Sequence, residues 1–214
     1  MAPRRQAAIA TRWLCEFWTG DGVVSSVQRL FIAADVPSTV RVSLDEAAQR
    51  AAMYWPAAAV RWTPAADRHL TLRFLGDTSP ELVPGLTAAM DDVALTVAPL
   101  PLCLHTPGTF PADSPPRVLW MGLRPDAGQA ALMQLQQHLE HRVQHLGYEA
   151  EARPYRPHIT LGRVRRGAHQ PASDWHQAAS PMVFRVQEIL LVRSERHETG
   201  ARYTTMHRAR LRGT

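Results

Sequence analysis

Lysine is absent from this chain of 214 residues, so all 24 of its basic residues are arginine. Cysteine is scarce too. Cys15 and Cys103 lie far apart without a C-x-x-C pattern, which excludes a disulfide framework and a thiolate zinc site. A reducing, cytoplasmic setting is expected. No apolar run approaches the ~20 residues that cross a bilayer, so a soluble protein without a membrane partner is expected. The first 27 residues carry Arg4, Arg5 and Arg12 against Glu16 and Asp21 and lack a sustained apolar stretch, which argues against a secretory signal. An Arg-rich, acid-poor leader can resemble a transit peptide, but residues 1–27 read as a loosely ordered extension outside the fold.

What is present is ordinary in bulk and specific in detail. Hydrophobic residues make up 45% and charged residues 20%, which excludes wholesale disorder. The length suits one large domain or two small lobes sharing a core. The net charge is +5 and the pI about 10.0. Arginine presents a planar fork that matches phosphate oxygens, so a phosphate-bearing or nucleic-acid partner is favoured. A compositional bias in the genome would also replace lysine by arginine, leaving phosphate affinity to a few of these residues.

Apolar periodicity predicts strands at residues 29–34, 69–76, 100–104, 117–123, 158–163, 184–192 and 203–211. It predicts helices over 43–54, 79–93 and 126–146, the first capped by Ser43 and the last striped by Leu132, Leu135, Leu139, Val143 and Leu146. Strands and helices intermix through short connections, which points to an α+β fold with mainly antiparallel sheets.

The chemistry rests on His69-x-Thr71 and His158-x-Thr160. In a strand, residues two apart share a face, so each segment presents an imidazole beside a hydroxyl while Leu70 and Leu72, or Ile159 and Leu161, anchor the opposite face. A neutral histidine can take a proton from water and an imidazolium can give one to a leaving oxygen, each transfer being worth ~10²–10⁴-fold. Threonine hydroxyls can donate to phosphate oxygens. The bare spacing is weak: 10 His and 15 Thr give about 0.7 chance matches, and a third copy, His197-Glu198-Thr199, precedes Gly200 and reads as an exposed loop. The fuller pattern His, apolar, Thr, Leu occurs only in the first two.

His69-Leu70-Thr71-Leu72 followed by Phe74-Leu75-Gly76, and Pro157-His158-Ile159-Thr160-Leu161 followed by Arg163, resemble the paired motifs of the two-histidine phosphoesterase superfamily. More narrowly the chain resembles the RNA 2′,3′-cyclic phosphodiesterases, also called 2′-5′ RNA ligases. The likeness runs through Arg29-Leu30-Phe31-Ile32-Ala33, Trp62, Arg117-Val118-Leu119-Trp120, Tyr155, Ser194 and Tyr203, and spans about residues 28–211. It implies a bilobal domain over 28–214, with two similar α/β lobes around a central cleft. It implies His69 as acid and His158 as base, with Thr71, Thr160 and Arg163 holding the phosphate. It implies hydrolysis of RNA 2′,3′-cyclic phosphate ends to 2′-phosphates without metal or other cofactor, with 2′-5′ ligation as the reverse reaction. A monomer is expected. Another cyclic or 2′-5′-linked nucleotide as substrate, or RNA binding without catalysis, are the rival readings.

Four further residue groups carry weaker expectations. Arg73 falls on the His69 face if alternation holds, either contacting substrate or lying solvated at the cleft rim. Tyr155 either stacks on a base or packs in the loop. Phe110, Trp120 and Phe184 read as core. His138, His141 and His145 share one helical face, about 130° from the apolar stripe, and read as solvated rather than as a metal site.

Overall fold

The structure is a computed structural model and describes residues 27–112, 115–168, 181–198 and 200–213. The expected N-terminal extension and Cys15 therefore lie outside the described residues, apart from Val27. The order is β1 (Gln28–Ala34), α1 (Ser38–Ala52), β2 (Val60–Trp62), β3 (Leu70–Thr78), α2 (Val83–Thr96), β4 (Leu100–Phe110), β5 (Val118–Leu123), α3 (Ala127–His145), β6 (His158–Val164), β7 (Met182–Val186), β8 (Glu188–His197) and β9 (Gly200–Arg210).

Among the described residues nine strands form one sheet in the order β7-β4-β5-β6-β3-β1-β8-β9, with β2 on β6, and every pairing is antiparallel. The fold is α+β with two lobes, as expected. One is built on β7-β4-β5-β6 and β2, the other on β3-β1-β8-β9. They join where β3 and β6 meet through a single pair, Leu70 with Ile159. Beyond it the edge of β6 is taken by β2, from Trp62 against Gly162 to Val60 against Val164. The half-sheets part there.

The helices cover one face and bury Leu44, Leu86, Met90, Leu132 and Leu135 against Leu30, Ile32, Leu70 and Ile159. A second, smaller cluster lies on the other face: Phe31, Ala33, Leu190 and Val192, with Tyr203 packed against it. Apolar burial stabilises at about 25 cal/mol per Å², and both faces of β1 use it. That explains its unbroken run of buried residues from Leu30 to Ala34.

Several boundaries differ from the sequence reading. α1 starts at Ser38, five residues early, behind Pro37 and with no side-chain cap at Ser43. Its β-branched Thr39, Val40 and Val42 hide the first turn, which tertiary packing of Val40 secures. The helix expected over 79–93 begins as a 3-10 turn, Pro80–Leu82. β4 runs on to Phe110 because Pro107 falls at a register shift, where no ladder N–H is required. The single strand expected over 184–192 is two strands in different lobes, β7 on β4 and β8 on β1. α3 matches its prediction, with the Asp126 side chain accepting from the Gln129 N–H at 3.1 Å.

Candidate active site

The pairing of Leu70 with Ile159 builds the site. Both side chains are fully buried on the core face, so their neighbours in sequence turn to the opposite face. Extending the antiparallel register by one residue each way sets His69 across from Thr160 and Thr71 across from His158. Directly opposed residues have Cβ atoms about 5 Å apart. The four expected side chains thus converge, and all four line one cleft of 330 Å³ with Phe31, Phe74, Arg163 and Tyr203.

Each imidazole is held the same way. Nδ1 of His69 lies 2.7 Å from the Asp67 carbonyl oxygen, and Nδ1 of His158 lies 2.7 Å from the Arg156 carbonyl oxygen. A carbonyl only accepts, so Nδ1 carries the proton and Nε2 is left to give or take one. The turn that aims the Asp67 carbonyl is pinned by α1. Arg68, 2% exposed, donates to Asp45 at 2.8 Å and to the Arg41 carbonyl at 3.3 Å. Arg41 donates to the Ala66 carbonyl at 3.4 Å and to Asp35 at 2.8 Å.

Aromatic rings wall both histidines. His69 stacks on Phe31 at 4.7 Å and meets Tyr203 edge-on at 5.2 Å. His158 meets Phe110 edge-on at 4.9 Å, with Trp120 behind at 6.2 Å. Burial lowers the pKa of His69 to about 4, with Arg41, His158 and Arg163 adding to the fall and the Asp67 carbonyl opposing it. Burial also lowers the pKa of His158, and Arg163 adds to that, against the Arg156 carbonyl. His69 is therefore neutral at neutral pH. An entering anion offsets these positive neighbours and raises both values.

Beyond the threonine, each motif strand breaks its alternation in the same place. Leu72 is the extra residue between the pairs Thr71–Ala33 and Arg73–Ile32, and Leu161 is the extra residue between Thr160–Trp120 and Gly162–Leu119. These are β-bulges, which re-aim the side chains that follow. The fifth residue after each histidine, Phe74 or Arg163, therefore faces the cleft, and the fourth, Arg73 or Gly162, is buried. Arg163 is exposed and has no acidic partner among the described residues, which suits an anion site. Gly162 lets β2 cross close above, since a Cβ there would meet Val60 Cγ1 at 2.7 Å.

The bulge overturns both readings of Arg73. It is 8% exposed and turned away from the cleft face, 2.7 Å from Glu140 through Nε and 3.4 Å from Glu151, and it also donates to the Glu149 carbonyl. The Nε–H is not aligned with Glu140 as a hydrogen bond. Tyr155 takes its packing role, with its hydroxyl donating to the Thr71 carbonyl at 3.1 Å and burial raising its pKa. It ties the approach to β6 onto β3. Phe110 and Trp120 are not core, because both face His158; Phe184 is core. His138, His141 and His145 lie exposed on α3, and among the described residues no three His, Cys, Asp or Glu side chains converge as a metal would need. Of the third copy, His197 ends β8 and pairs with Gly200 at the start of β9; Thr199 is outside the described residues.

The sequence profile of the 2′-5′ RNA ligase superfamily matches residues 37–198, which include both histidine strands. The chain belongs to this superfamily. A Thermus thermophilus relative named RNA 2′,3′-cyclic phosphodiesterase is 32% identical over 191 residues, covering 86% of this chain and 91% of that one. An Escherichia coli relative of the same name is 30% identical, covering 86% and 97%. A Geobacillus stearothermophilus relative, again of that name, is 36% identical over 64% of this chain but only 44% of its own length. Among solved structures, Thermus thermophilus TT0787 superposes with a TM-score of 0.72 at 29% identity, covering 86% of this chain and 98% of the other. Escherichia coli LigT complexed with 3′-AMP gives 0.68 at 30% identity, with the same coverage. No described helix is long and apolar enough to cross a membrane.

Proposed function

We propose that this superfamily member hydrolyses the 2′,3′-cyclic phosphate at RNA ends to a 2′-phosphate, by acid–base catalysis between His69 and His158 without a metal ion. The observation that carries the reading is the two-fold arrangement of the cleft, in which each carbonyl-pinned imidazole stands across from the other motif's threonine. Relatives named RNA 2′,3′-cyclic phosphodiesterase over most of the chain support RNA as the carrier.

In the proposed step, His158 Nε2 takes a proton from water as the water oxygen attacks phosphorus. The P–O3′ bond breaks, and His69 Nε2 gives its proton to the departing 3′ oxygen. The products are a 2′-phosphate and a free 3′-hydroxyl. The depressed pKa of His69 makes its imidazolium a strong acid once the bound phosphodiester anion has charged it. Thr71 and Thr160 donate to the non-bridging oxygens, and Arg163 offsets the growing negative charge. With a 5′-hydroxyl in place of water as the attacking group, the same breaking of P–O3′ joins two ends through a 2′-5′ linkage.

The test is a panel of nucleoside 2′,3′-cyclic phosphates followed by ³¹P NMR with excess EDTA present. Conversion to 2′-phosphates is expected. A 3′-phosphate product would overturn the regiochemistry, and complete inhibition by EDTA would overturn the metal-free mechanism.

A further inference from the structure

Beside the catalytic cleft lies a larger groove of 580 Å³, and the two share Thr63, Asp67, Arg163 and Tyr203 as a common wall. Its other side is formed by Arg61, Trp62, His197 and Arg202. None of these four carries the chemistry proposed above.

The charge of this groove is unbalanced. Arg61 and Arg163 are direct cross-strand partners on β2 and β6, an arrangement in which like charges cost stability. Among the described residues no carboxylate pairs with Arg61, Arg163 or Arg202. Glu195, opposite Arg202 on β8 and β9, reaches Arg193 instead, at 3.5 Å. The one acid in the wall is Asp67, whose carboxyl burial pushes above its usual range, against the pull of Arg41. Trp62 and Tyr203 add half-buried aromatic faces to the three guanidinium groups. A basic track interleaved with aromatic rings is how single-stranded nucleic acid is held without regard to sequence, phosphates on arginine and bases on rings. On the other side of the cleft, the slot around Phe74, Phe110, Val118 and Pro154 has a largely apolar lining. Of its arginines Arg73, Arg153 and Arg156, the first is held by Glu140 and Glu151, and among the described residues no arginine pair faces across strands there as Arg61 and Arg163 do.

We propose that the groove past Arg163 carries the phosphodiester chain leading into the terminal nucleotide, so that the protein prefers cyclic ends on oligonucleotides to cyclic mononucleotides. The proposal rests on the reading of the cleft as a cyclic phosphodiesterase site.

The experiment compares kcat/KM for a 2′,3′-cyclic mononucleotide with that for a pentanucleotide ending in the same cyclic phosphate, at 50 mM and 200 mM salt. The reference protein and an Arg61→Gln/Arg202→Gln double variant are measured together. The expected result is a preference for the pentanucleotide of about tenfold or more at low salt, falling as salt rises. The double variant should lose most of that preference and keep its mononucleotide rate. Removing two phosphate contacts should also lessen the log–log salt slope by about 1.4. Equal rates on both substrates, or a preference the double variant retains, would overturn the proposal. Failure of the cyclic phosphodiesterase reading itself would appear as no mononucleotide turnover. In that event the fluorescence anisotropy of a labelled pentanucleotide 3′-phosphate, against 3′-mononucleotide as competitor, still decides. Equal affinity of reference and double variant would refute the groove.

Discussion

The pH dependence follows from how the cleft treats His69. With a pKa near 4 in the free protein, about one His69 in a thousand is charged at pH 7, against about a quarter of unperturbed histidines. The phosphodiester is an anion throughout, so only the protein titrates. The proposed mechanism needs one charged and one neutral imidazole, a form most abundant between two lowered pKa values. Because kcat/KM reports the free enzyme and kcat the complex, the optimum for kcat/KM should lie a unit or more to the acid side of that for kcat. Side-chain NMR of His69 should show its midpoint rising when inorganic phosphate is added. The same shift reaches stability. The folded pKa lies below the unfolded value of about 6.5, so stability is whole above pH ~6.5 and is lost as pH falls through about 4, by no more than ~3 kcal/mol. Water in the cleft reduces that figure. His69→Gln should remove this part of the slope in urea titrations. Coincident optima for kcat and kcat/KM, or a free-protein midpoint of His69 at 6 or above, would refute the reasoning.

Five substitutions test the architecture around the cleft. Arg73→Met leaves Glu140 and Glu151 without their cation and should cost about 3 kcal/mol in urea unfolding while sparing kcat; Phe74→Ala, at a residue 57% exposed, should do the reverse, raising KM with little loss of stability. Gly162→Ala drives a Cβ toward Val60 and should cost about 1–3 kcal/mol and raise KM by displacing Arg163, as denaturation and kinetics together would show. Thr71→Val and Thr160→Val remove donors to the developing charge and should each lower kcat by about 10²-fold in steady-state assays, with KM nearly unchanged.

The sequence exposed the residues that combine periodicity with chemistry. His69, Thr71, His158 and Thr160 follow period two and were legible as two strand faces. α3 was legible to within a residue because its leucines mark the stripe. The bulges at Leu72 and Leu161 were not legible, since a bulge is defined by the partner strand's register rather than by its own residues. Strict alternation therefore misplaced Arg73 and gave Phe74 no role. The aromatic walls were missed for a related reason. Phe31, Phe110 and Trp120 sit in strands that reach the cleft only through long-range pairing, and apolar rings there read as core. The Pro107 shift in β4 and the passage of the chain between lobes at Gln187 depend in the same way on contacts distant in sequence.

The central claim is that two histidines share the chemistry of one phosphodiester, and single-turnover hydrolysis of a 2′,3′-cyclic mononucleotide by His69→Ala and His158→Ala tests it most directly. Each variant, shown by circular dichroism to be folded, should lose 10²-fold or more in the chemical step. The double variant should lose little beyond the worse of the two, because the pair acts as one unit. Near-normal turnover by either single variant would contradict the account.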